Sequence, residues 1–269
     1  MSVRSTPSEG AEEGNALRAA ERRIAEHPAA RKYAACTSLR LTIEAVFVPN
    51  WVELLTLFRR AASDENLAIE LVQNVRASSI RDQFHAVITR SLHNYLASAT
   101  TLVDHVRRLM RNRTGAIAEE FSRRKAEVIK NPEIPFMQDL RNFTLHRTLP
   151  FLGHRVSFTQ LNTPEQKMES EVELGTAALL EWNVWSAASR QFLNSQSDAV
   201  AIRAVVKRHG RLLIDLNVWL CNELMRSIDL EEVNRLIVER NAIVMGVDFE
   251  TAQRLTSEWS IRHSTSEPD

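Results

Sequence analysis

The segment Asp139 to Pro150, DLRNFTLHRTLP, sets Arg141 and His146 five positions apart on what reads as one short helix. Those residue types suit phosphodiester chemistry. A guanidinium is permanently charged and offers a planar fork of N–H donors that matches phosphate oxygens, so Arg141 can stabilise charge developing on a phosphorane. An imidazole gives or takes a proton near neutral pH, so His146 can serve the attacking or the leaving oxygen. Together the pair can cleave RNA through its own 2′-hydroxyl, with no metal in the scheme. Asn142 lies four positions before His146 and faces the same way, where it can hold the imidazole or a phosphate oxygen. Asp139, a further turn back, can bias the histidine tautomer. Two proton transfers normally use two histidines and the segment has one; a symmetric dimer would bring a second.

Spacing alone does not select this segment. Arginine and histidine with four to six residues between them occur four times: Arg22 with His27, Arg141 with His146, Arg147 with His154, and Arg203 with His209. Arg22 and His27 stand beside Pro28 near a polar tail, which suits a surface position. His209 falls on or near the apolar stripe of an amphipathic stretch and reads as structural. Asp139 to Pro150 differs in its setting. Pro135 fits the first turn of its helix and Pro150 stops it. Phe136, Leu140 and Phe143 make one apolar edge that docks the helix, and Gln138, Asp139, Arg141, Asn142 and His146 spread over the opposite arc.

Charge points to the same place. The net charge is zero, with 34 basic and 34 acidic residues. Between Arg107 and Arg155, however, eleven Lys or Arg stand against five Asp or Glu. Such local asymmetry steers a polyanion to one face even in a neutral protein. Arg107, Arg108, Arg111, Arg113 and Arg147 are the candidate phosphate or RNA contacts, with a solvated helix face as the plainer reading of the same run.

The elements that must position these residues read as helices. Seven glycines and eight prolines are few for 269 residues, and most prolines fall near segment boundaries, which predicts an all-α fold. Residues 15–26 have helix-forming composition, residues 36–48 fit helix or strand, and Asn50 can cap a helix carrying Trp51, Leu54, Leu55 and Phe58. A long helix or a tandem pair spans 66–112, breaking near Ser78 and Ser79. Its second part shows an apolar stripe through Ile88, Leu92, Leu96, Ala99, Leu102 or Val103, and Val106. Gly115 is expected to end it before a helix over 116–130. Residues 154–161 alternate like a strand, predicting a short hairpin or extended arm. Two long antiparallel helices are expected over 168–195 and 197–226, capped between by Ser197 and weakened at Gly210. Two shorter ones follow, over 230–240 and 248–261.

Several function classes lack support. Cys36 and Cys221 have neither metal-ligand nor redox spacing, and no nucleotide-binding loop, dinucleotide fingerprint or hydrolase motif occurs. His93, Asp104 and His105 are too spread along one helix for a compact metal site; His93 and Asn94 are expected to make interhelix hydrogen bonds. No cofactor is implied. Trp182, Trp185 and Trp219 are spaced as core aromatics. Without an apolar leader or an 18-residue uncharged apolar run, the chain reads as cytoplasmic and not membrane-spanning. Residues 1–14 and 264–269 read as disordered tails around a single helical domain, 15–263.

The run Leu140-Arg141-Asn142 followed by His146 resembles the R-x(4–6)-H signature of HEPN domains, in which a polar residue commonly follows the arginine. The preceding helix, with His93-Asn94-Tyr95-Leu96 and Leu102-Val103-Asp104-His105, is similar to the helix before that motif in bacterial members. The resemblance covers about 66–226. It implies a helical bundle, often a homodimer, and in many members a metal-independent ribonuclease of toxin, antiphage or RNA-processing systems, sometimes held by an antitoxin or other protein partner. Other members keep the fold as non-cleaving modules, so binding of RNA, a nucleotide or a protein partner is the alternative expectation. In a third reading Arg141 and His146 are satisfied inside the bundle by Asp139, Glu133 or backbone carbonyls.

Overall fold

The computed structural model describes residues 9–72, 79–150, 152–159 and 167–264. The chain divides into two compact units, Met1–Ser38 with Glu223–Asp269, and Leu39–Asn222.

In the first unit, α1 (Glu9–Glu26) packs on α11 (Leu230–Met245), which packs in turn on α12 (Phe249–Ser264). Helix α1 thus begins inside the stretch whose composition suggests a tail, because its alanines and glutamates are good helix formers. Asp229 caps α11 by accepting from the Glu232 N–H at 3.0 Å, and Gly246, at φ 63°, closes it with the left-handed turn that glycine adopts freely. Arg23 pairs with Glu239 at 3.4 Å and His27 Nε2 lies 3.4 Å from Glu232, so the histidine of the first arginine–histidine pair meets α11 while Arg22 itself is exposed.

Helix α2 (Pro28–Leu41) runs through a π-helical turn, Thr42–Phe47, into α3 (Val48–Ser63). The ambiguous stretch 36–48 is therefore helical throughout. An 18-residue window within Pro28–Ser63 has a mean hydropathy of 1.4, long and apolar enough to cross a membrane by length and composition. Ile43, Phe47, Leu54 and Phe58 of this run are buried in the core of the second unit, which accounts for part of that apolarity.

The second unit is built around α5 (Ser79–Met110), which follows α4 (Glu65–Val72); the expected break near Ser78 lies outside the described residues. Ile88, Leu92, Tyr95, Leu96, Ala99, Leu102 and Val106 are buried along one side of α5. Leu102 takes the core position and Val103 is exposed, which resolves the alternative left by the periodicity. Helix α5 ends at Met110, five residues before Gly115; that glycine, at φ 88°, instead precedes α6 (Ala116–Ile129) as its N-cap. Helix α7 (Glu133–His146) docks through Phe136, Met137, Leu140 and Phe143, all buried, so the expected apolar edge is the docking edge with Met137 added.

The fold is mostly helical, and the strand content exceeds the single expected hairpin. Strands β1 (Leu152–Thr159), β2 (Lys167–Gly175) and β3 (Ala199–Ala201) form an antiparallel sheet in that order. Leu152 pairs with Leu174, and Leu174 with Val200. The long helix expected over 168–195 is therefore wrong. Its first part is β2, and only the short helices α8 (Thr176–Leu180) and α9 (Ala187–Ser195) follow. Met168, Ser170, Val172 and Leu174 turn inward while Glu169 and Glu171 stay exposed, a period of two that outweighs the helix propensity of Met, Glu and Leu. Ser197 caps nothing, because α10 (Ile202–Arg226) starts five residues later, after β3.

Gly210, expected to weaken α10, is required there. It lies against Trp51 of α3, whose Nε1 donates to the Val206 carbonyl at 3.0 Å. A side chain at Gly210 would collide with the indole.

A candidate phosphate groove between α5 and α7

Helix α7 presents three sectors. The apolar one enters the core, where Phe143 stacks on Trp185 at 5.7 Å and meets Trp182 edge-on at 5.5 Å, with Phe136 at 5.8 Å from Trp185. Trp182 and Trp185 are thus core aromatics, and Trp185 Nε1 donates to the Leu179 carbonyl at 2.7 Å. A second sector faces α9. There Asp139 Oδ2 accepts from the Ser186 N–H at 2.9 Å and from Ser189 Oγ at 2.6 Å. The carboxylate expected to bias the His146 tautomer instead secures the start of α9, filling a donor that a helix N-terminus leaves open.

The third sector borders α5 and carries Arg141. The side chain is half-buried and lines a groove of about 300 Å³. Thr144 and Leu145 flank it on α7; Leu96 of the buried α5 stripe reaches it, and His93, Ala97, Thr100, Thr101, Asp104 and Arg108 line the rest of the α5 side. These α5 positions recur at three- and four-residue steps, so they form one polar stripe beside the buried one. Asp104 is already paired with Arg107 at 2.6 Å. Neither Arg141 nor Arg108 has a carboxylate partner among the described residues, and the hydrogen bond of Arg141 is from Nη1 to Asn142 Oδ1 at 3.3 Å. Two uncompensated guanidiniums in one half-enclosed polar groove attract an anion.

His146 is exposed in the last turn of α7 and does not line the groove. At 3.6 residues per turn it lies about 140° around the helix from Arg141, with Asn142 between. Arg141 Nη1 donates to the Oδ1 of this same Asn142. Neither Asp139 nor Glu133 is a partner of Arg141 or His146; Glu133 pairs with Arg208 at 3.3 Å.

The remaining basic candidates separate. Arg107 is neutralised by Asp104, Arg147 pairs with Glu181 at 3.2 Å, and Arg113 Nε donates to the Leu109 carbonyl at 3.2 Å. Arg111 is exposed, and Arg108 shares the groove with Arg141. Of the other arginine–histidine pairs, Arg203 is exposed while His209 is 5% exposed and bonds Tyr95 Oη through Nδ1 at 2.5 Å. Burial lowers the His209 pKa from 6.5 to about 3 and raises that of the Tyr95 phenol. His154, on β1, packs edge-on against His85 at 5.1 Å and near Phe84 at 5.9 Å. Burial first, then the charge of His85, lowers its pKa to about 4.

His93 was expected to make an interhelix hydrogen bond; it is exposed, without a hydrogen-bond partner among the described residues, and opens onto the groove. Its signal in the sequence is its phase, four and eleven positions before Ala97 and Asp104 and fifteen before Arg108, all on one helical face. That face acquires meaning only once α7 crosses it. His105, by contrast, meets Thr42 Oγ1 through Nδ1 at 2.7 Å, and no group of three or more His, Cys, Asp or Glu that could hold a metal ion occurs among the described residues.

No protein-family model, no curated protein and no solved structure matches this chain.

Proposed function

We propose that the chain is an endoribonuclease of the HEPN type that cleaves RNA through the 2′-hydroxyl, working in the cytoplasm, where Cys36 and Cys221 stay reduced. One observation carries this reading: Arg141, without a carboxylate partner among the described residues, lines a polar groove and donates to Asn142, which lies between it and His146 around the helix. Arg141 stabilises the phosphorane, Asn142 aims the guanidinium, His146 exchanges a proton with a reacting oxygen, and Arg108 holds a neighbouring phosphate. A homodimer and a restraining protein partner belong to the same proposal.

The test is cleavage of varied single-stranded RNAs in EDTA by the wild type, Arg141→Ala and His146→Ala. Losing one preorganised donor to the transition-state charge costs about 100- to 1,000-fold, and losing one proton-transfer group about 100- to 10,000-fold. Normal cleavage by both variants, or an inactive wild type, removes the catalytic reading. The alternative, a non-cleaving module for a protein partner, is favoured by a second groove of about 240 Å³. It is lined mainly by apolar side chains, among them Val103, Phe121, Ile129, Ile134 and Leu216.

A further inference from the structure

RNA cleavage by attack of the 2′-oxygen is an in-line displacement. The entering and leaving oxygens stand on opposite sides of phosphorus, so the group that removes one proton and the group that delivers the other approach from opposite sides. His146 alone cannot stand on both. The sequence motif contains no second histidine, and the dimer invoked for one is not needed if the chain brings its own.

We propose that His93 is a second catalytic histidine of this chain, acting on the phosphate held by Arg141 from the groove side while His146 acts from the outer side of α7. The inference rests on the ribonuclease reading and adds to it the residue that completes the proton inventory. His93 and Arg141 line the same groove, one from α5 and one from α7. His93 is exposed and has no hydrogen-bond partner among the described residues; its nearest groove-lining neighbours along α5 are Leu96, which is buried, and then the small side chains of Ala97, Thr100 and Thr101. Asp104, the carboxylate of the groove, is engaged by Arg107 and leaves the two guanidiniums to the substrate. His93 faces Arg141 across the groove from α5, and His146 lies about 140° around α7 from Arg141.

The step balances without a co-reactant. One imidazole, neutral at the start, takes the 2′-hydroxyl proton as the 2′-oxygen bonds to phosphorus. The P–O5′ bond breaks, and the departing 5′-oxygen takes a proton from the other imidazole, which starts as imidazolium. The products are a 2′,3′-cyclic phosphate and a 5′-hydroxyl end, and the two histidines return to their starting states by exchange with water. The substrate class is single-stranded RNA, because the nucleotide must enter a groove of about 300 Å³ with its 2′-hydroxyl free to turn in line.

The experiment is the pH profile of kcat/KM on a single-stranded RNA for the wild type, His93→Gln, His146→Gln and Arg141→Ala, with the cleaved ends identified. The wild type should be bell-shaped, since one histidine must be neutral and the other protonated. His93→Gln should lose at least about 100-fold and flatten one limb, and His146→Gln should flatten the other. Because His93 is exposed, the substitution leaves the core intact, and an unchanged melting temperature verifies it. A wild-type profile in His93→Gln, or loss of the same limb in both variants, overturns the role of His93 while leaving the ribonuclease reading standing. An inactive wild type overturns both.

Discussion

Replacing Gly210 with alanine reverses a rule of helix energetics, and the structure says by how much. In an exposed helix interior, glycine to alanine stabilises by about 1 kcal/mol, because alanine loses less backbone entropy. At Gly210 of α10 the added Cβ would press on Trp51 Nε1 and stand 2.5 Å from Cδ1 and 2.6 Å from Cε2. The obstacle is a rigid indole, so the ring as a whole must shift. Overpacking of this kind costs about 1–3 kcal/mol. Moving the indole also breaks the 3.0 Å hydrogen bond from Nε1 to the Val206 carbonyl, a further loss of about 1 kcal/mol. Set against the propensity gain, Gly210→Ala should destabilise by about 1–3 kcal/mol. For a chain of this size that lowers Tm by roughly 3–10 °C. Denaturant and thermal melts of the wild type, Gly210→Ala, Trp51→Ala and the double variant measure it. In the Trp51→Ala background the obstacle is gone, so Gly210→Ala should then raise stability by about 1 kcal/mol. A single Gly210→Ala variant as stable as the wild type, or the same loss in both backgrounds, would refute the packing argument.

Acid should destabilise the protein through His209. Its pKa is about 3 in the folded chain against an ordinary 6.5, so its contribution is whole above pH 6.5 and is lost as pH falls toward 3. From pH 8 to pH 5 the loss is about 2 kcal/mol; His154 acts in the same direction, and a pH dependence unchanged in His209→Gln would refute the assignment. Asp139→Ala should cost about 1–2 kcal/mol by leaving the Ser186 N–H and Ser189 hydroxyl at the start of α9 without their acceptor, measured as a fall in Tm. Normal stability with cleavage lost would instead return Asp139 to the chemistry at His146.

Much of the helical architecture was legible in the chain. The docking edge Phe136, Leu140 and Phe143, and the α5 stripe from Ile88 to Val106, follow from the 3.6-residue period, which any buried helix imposes on its own residues. The start of α7 and its end before Pro150 were set by local backbone chemistry; of the strand expected over 154–161 from its alternation, 154–159 belong to β1, which begins earlier, at Leu152, and 160–161 lie outside the described residues. Residues 167–175 were misread because Met, Glu and Leu suit helices, and the pairing with β1 that favours their alternation over that propensity comes from outside the segment. Gly210 was misjudged for the same reason, since nothing near it in sequence announces Trp51, 159 positions away.

The candidate site divides along the same line. By itself the sequence determined that Arg141, Asn142 and His146 lie on the polar arc of one short helix, and that a basic segment precedes it. Only the tertiary structure decided which charges remain available. Asp139 went to α9, Arg107 to Asp104 and Arg147 to Glu181, leaving Arg141 and Arg108 in one groove with His93 and without a carboxylate partner among the described residues. Helical phase is a local property, readable along the chain, whereas the neutralisation of a charge depends on which distant side chain the fold brings within 4 Å.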